Sequence, residues 1–301
     1  MLNRIIQQMF CPVDAAFLAV FRIGFGAILL FESVNYGLFL CLECFYHSSD
    51  LLFKYRHFSW VNAAPTVWLR TIWLLMAVLA IMVMLGFYYR AAMLLYTVGF
   101  TYHFLLEQVL YLNHFYLVIL LCGLMTLVPA HAYWSLDAKR SSAIASDTVP
   151  YWSKFVLAAQ LEIVLIYAGL VKLNADWLAL EPMRMWMNYR SHDEIALFQW
   201  LTQDWGIAVA SYGVIALHLI GAPLLLYRKT RLPVLFCYAF FHTINMFVFN
   251  IGIFPWMTLF ASLLFFDADW PRQFAAWLSQ KRIFTGLMGS WLMSIGRSAG
   301  T

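Results

Sequence analysis

Charge is scarce in this chain. Asp, Glu, Lys and Arg together make up 11% of the residues, against roughly 25% in an ordinary soluble domain. That scarcity excludes a solvated globular surface. The residual net charge of +4 is small and scattered, which argues against a nucleic-acid partner. Cysteine is equally sparse: the five positions (11, 41, 44, 122 and 237) form no disulfide framework and no complete zinc pattern. There is no internal repeat of 20–50 residues and no low-complexity tract.

What is present is apolar. Hydrophobic residues reach 63% and aromatics 18%, with a mean hydropathy of +0.75. The expectation is an all-α, polytopic membrane helical bundle whose immediate partner is the lipid bilayer. Apolar stretches suited to ~30 Å of hydrocarbon predict about eight helices, near 15–41, 67–87, 91–111, 115–130, 153–175, 206–227, 232–250 and 253–267. The first stretch is too long for the h-region of a cleavable signal, so it reads as a retained span. The connections 42–66 and 176–205 mix aromatics with charges, as short helices in the headgroup region do. The organisation expected is a transmembrane unit over 1–272, followed by an amphipathic tail over 273–301.

Most of the 19 Lys and Arg fall on inner segments if the N-terminus is inside, with Arg228, Lys229 and Arg231 the firmest group. The positive-inside rule then predicts a cell-membrane protein with both termini cytoplasmic. This orientation carries several polar side chains toward the outer face. His103 and Glu107, spaced i, i+4, end the third helix. His114 follows in "YLNHFY". Lys172 and Asp176 close the fifth helix, with Asn174 and Trp177 beside them, and His242 and Asn245 share a face of the seventh. His131 and His218 fall toward the inner side and are set aside.

Intramembrane ionisable groups mark functional sites by default, because each costs about 2.5–3.5 kcal/mol at a span centre on insertion scales. Each also has a plainer reading. Lys172 could snorkel outward and pair with Asp176, or be a desolvated amine available as a base. His103 and Glu107 could hydrogen-bond one another along one helix face, and His242 with Asn245 could simply bind helices together. "CLEC", Cys41 to Cys44, reads as packing or a plain disulfide more readily than as a redox pair. Arg22 and Glu32 stand ten residues apart, about 15 Å, so each needs its own partner, and Arg22 reads as architectural. From the residues alone, catalysis and the binding or transport of a lipid, peptide or proton remain equally open.

The strings "YLNHFYL", "YWSLDA", "IYAGLVKLNADWL" and "FFHTINMFVFNIGIFPW", flanked by "LAVFRIGFG" and "LLFFDADWP", add a further clue. In their order, over roughly residues 10–272, they resemble the transmembrane core of vitamin K-dependent γ-carboxylase. They resemble equally the wider horizontally transferred transmembrane family of short bacterial relatives. The resemblance implies a carboxylating lyase and quinol epoxidase whose cofactor is vitamin K hydroquinone or a related lipophilic quinol, with O2 and CO2. It implies Lys172 as the base that deprotonates the quinol and His114 as the residue of the carbanion step. His242 is taken as a supporting group and Asn174, Asp176, Trp177, Asn245, His103 and Glu107 as substrate-binding residues, with a peptide or protein among the candidate substrates. No metal is implied. The chain departs from the carboxylase pattern at Val171, where a second lysine is usual, and at Asn174, where an aspartate is. It also ends before the carboxylase's luminal domain. Quinol epoxidation, or carboxylation of another substrate, is the activity these departures leave.

Overall fold

A computed structural model describes residues 2–47, 52–190, 202–249 and 251–280. The described residues are mostly helical. Eight helices lie close to the expected places: α1 Ala16–Phe39, α2 Thr66–Leu85, α3 Tyr89–Leu105, α4 Asn113–Leu127, α5 Trp152–Leu170, α6 Asp204–Leu225, α7 Arg231–Phe249 and α8 Phe254–Phe265. Among the described residues, five are long and apolar enough to cross a membrane: α1, α2, α5, α6 and α7. At ~1.5 Å per residue the other three are short for a full crossing, so the count of eight spans is not established. Residues 48–51, 191–201 and 281–301 of the expected interfacial segments and tail lie outside the described residues.

Helices α1 to α4 form the densest part of the core, around Phe25, Leu29, Trp73, Tyr96, Phe100 and Leu121. In lipid, close packing replaces water exclusion as the force between helices. Gly26 shows this directly, because a Cβ there would stand 2.6 Å from Met84 Cγ.

One end of the bundle is tied by polar contacts. Strands β1 (Pro12–Asp14) and β2 (Thr148–Pro150) pair antiparallel, with Val13 opposite Val149. Asp14 Oδ1 accepts from the Ala16 N–H at 2.8 Å, and its Oδ2 accepts from Arg272 Nε at 2.7 Å. The motif "YWSLDA" works at the same end. The Trp134 carbonyl accepts from buried Arg22 at 2.6 Å, while the Asp137 carboxylate accepts from the N–H groups of Tyr88 and Tyr89, each at 2.9 Å. Arg22 is therefore architectural. Gly86, at φ +62°, ends α2 against it, where a Cβ would meet Arg22 Nη1 at 1.8 Å.

Candidate functional site

Away from that tied end, α1, α4, α5, α6, α7 and α8 surround a cavity of about 2130 Å³. Pockets for drug-sized ligands hold roughly 300–1,000 Å³, so this one has room for a ring and a long tail. Its polar lining includes Glu32, Gln160, His114, Lys172, His218 and Asn245, among many aromatic and aliphatic side chains. Phe31, Tyr167, Phe236 and Phe240 line it and are also more than half exposed on the apolar outside of the bundle. The cavity therefore opens sideways, through a wall that faces lipid.

Lys172 sits just past the end of α5, which stops at Leu170, earlier than the sequence predicts. Its Nζ donates to the Ala168 carbonyl at 2.8 Å and lies 5.1 Å from the centre of the Trp177 ring. The expected partners do other work. Asn174 caps the short helix Ala175–Leu178, with Oδ1 accepting from the Trp177 N–H at 3.0 Å and Nδ2 donating to the Val171 carbonyl. Asp176 is exposed, and Lys172 makes no ion pair among the described residues. Snorkelling toward Asp176 is thus not what is seen. Burial holds the Lys172 amine below the usual lysine range, with no carboxylate to raise it again.

His114 opens α4 and lines the cavity, its ring edge-on to Phe115 and 6.1 Å from Phe254. Gly252, at φ +60°, makes the turn beside it, and a Cβ there would lie 3.8 Å from His114 Nε2. Asn245 also faces the cavity.

The other candidates are elsewhere. His242 is buried next to Phe254 and does not line the cavity. Its Nε2 lies 3.0 Å from the Thr258 hydroxyl, whose single proton is directed to the Phe254 carbonyl at 2.8 Å. The pair is a helix-to-helix tie between α7 and α8. His103 packs against Trp73, with ring centres 4.5 Å apart and the planes tilted by 32°, and neither of its nitrogens has a hydrogen-bond partner among the described residues. It does not bond to Glu107. The Glu107 carboxylate instead accepts from the Phe53 and Val109 N–H groups, holding the 52–64 connection onto the bundle. "CLEC" forms a disulfide between Cys41 and Cys44.

Several polar cavity residues escape the sequence reading as site members, Glu32, Gln160 and His218 among them. In the sequence Glu32 reads only as too far from Arg22 to pair with it, each needing its own partner. His218 was set aside on side-of-membrane grounds, although its place after the small residues of "SYGVIA" was a signal of close helix approach.

The model of the HTTM domain family matches residues 10–270. The chain belongs to the HTTM family. The match takes in all eight helices of this HTTM domain and the cavity they surround. No solved structure matches the chain.

Proposed function

We propose that this HTTM protein is an integral-membrane enzyme that oxidises a lipophilic quinol, an epoxidase or carboxylase of the vitamin K-dependent type. Lys172 is the base and His114 the second acid–base group. The observation that carries the reading is the setting of Lys172: a half-buried amine with a carbonyl and an indole for neighbours, in a large cavity open to lipid. A neutral amine there can take a proton from a phenol, whose pKa near 10 is within its reach. The cavity fits such a ligand in size and in lining. When bound, the quinol supplies the phenolic proton and the reducing equivalents for dioxygen. Lys172 accepts that proton, the Trp177 ring steadies the ammonium that results, and the aromatic walls keep water out. The site faces outward and both termini lie in the cytoplasm, with residues 1–272 the catalytic unit and 273–301 a surface tail.

The test is to incubate purified protein with reduced vitamin K, oxygen and labelled bicarbonate, assaying both epoxide and fixed label. Epoxide formation lost in Lys172→Ala and in Lys172→Arg supports the reading, since arginine cannot serve as a neutral base. Quinol binding without any turnover would instead favour a protein that binds or moves a lipid.

A further inference from the structure

Helix α6 is not regular where it meets the cavity. Leu217–Gly221 is a π-helical segment, and insertions of this kind recur at functional sites because they displace one side chain from the helical register. His218 lies within this segment. The Leu217 carbonyl accepts from the Tyr238 hydroxyl at 3.1 Å. The close approach of α5 is made possible by Gly169, where a Cβ would stand 3.0 Å from the Cβ of His218. Lys172 follows Gly169 by less than one turn, so the amine and the imidazole border the cavity at the same helix crossing.

The tautomer of His218 follows from its one hydrogen bond. Nδ1 lies 2.7 Å from the Val214 carbonyl, which can only accept, so Nδ1 carries the proton. Nε2 then holds a bare lone pair. It has no hydrogen-bond partner among the described residues, yet it is not among the sealed, unpartnered polar atoms, so it is open to the cavity that His218 lines. The ring is held edge-on between Tyr238 and Phe241, at 5.7 and 5.4 Å, which fixes the direction of that lone pair.

We infer that His218 is a ligand-binding residue whose Nε2 accepts a hydrogen bond from a hydroxyl of the cavity's occupant, so that Lys172 and His218 together select an amphiphile with two ring hydroxyls. This rests on the quinol reading of the same site. It adds a second acceptor and a reason for the para-dihydroxy class.

The experiment measures binding anaerobically, where no turnover occurs, with two probes: 1,4-naphthohydroquinone and 4-methoxy-1-naphthol. The wild type is expected to prefer the dihydroxy probe roughly tenfold, the order of one net hydrogen bond in a desolvated site. His218→Asn keeps a donor toward Val214 and removes Nε2, so the preference should fall close to unity while the methoxy probe binds as before. A wild-type preference retained in His218→Asn overturns the inference. If that variant does not fold, the 15N resonance of His218 Nε2 in the wild type decides. It should move on adding the dihydroxy probe, and a static resonance under saturating probe overturns the proposal. Preference lost in the variant alongside a wild type that makes no epoxide would sink the enzymatic reading alone.

Discussion

Lys172 and Trp177 form the pair on which the site turns: the amine lies 5.1 Å from the indole centre, while Asp176, one residue nearer in sequence, points elsewhere. A cation–π contact of this kind stabilises the ammonium by about 0.5–2 kcal/mol. Removing the indole should therefore lower the lysine pKa further. In a pH–rate profile of quinol oxidation, the limb that rises as the amine loses its proton is expected below the ordinary lysine value of ~10.4. Trp177→Leu should shift it to lower pH still. Asp176→Asn should leave it in place, and a downward shift in that variant would show a carboxylate contact in solution.

Lys172→Ala should lower turnover by about 10²–10⁴, the range for loss of a general base, and weaken binding of the dihydroxy probe by roughly tenfold, the order of one net hydrogen bond. Exogenous small amines should restore part of the rate. Steady-state kinetics with added methylamine is the check, and a variant as active as the wild type would remove Lys172 from the chemistry.

His242 and Thr258 are expected to act on stability alone. Thr258→Val leaves the buried His242 Nε2 without its hydrogen-bond partner, at a cost on the order of 1–3 kcal/mol. Thermal unfolding in detergent should fall by several degrees, with cavity-probe affinity unchanged within about twofold. A larger affinity loss would place His242 in the site after all.

Gly86→Ala combines a left-handed backbone with a collision against Arg22. The cost should exceed about 2 kcal/mol, and the protein should unfold at lower temperature or fail to accumulate. Gly123→Ala serves as the contrast: nothing lies within 4 Å of a Cβ there, so the unfolding temperature should hold or rise slightly.

Topology reporters at residues 140 and 190 should read on opposite sides of the membrane, 140 cytoplasmic. The same side for both would overturn the orientation.

The helix positions were legible because apolar runs of span length have few other uses. Lys172 and His114 were legible because polar groups in such runs are conspicuous. Partners were not legible. Helical spacing put His103 with Glu107 and Lys172 with Asp176, but spacing fixes only which residues share a face. Glu107 turned to backbone donors, one two residues on at Val109 and one at Phe53 in a distant connection, and α5 stopped before Asp176 could join its last turn. His218 was hidden for a different reason. A π-helical insertion rotates the face a residue presents, and no periodicity announces it.

The contact between Arg272 and Asp14 joins residues 258 positions apart. At synthesis rates of about 5–20 residues per second, roughly 13–50 s pass after Asp14 leaves the ribosome before its partner exists. During that interval the first helices must be inserted while the bundle end is still unlatched. Translation speed and membrane-insertion machinery thus bear on the yield of this protein, and a nascent chain cut short of residue 272 would reach the bilayer without its clasp.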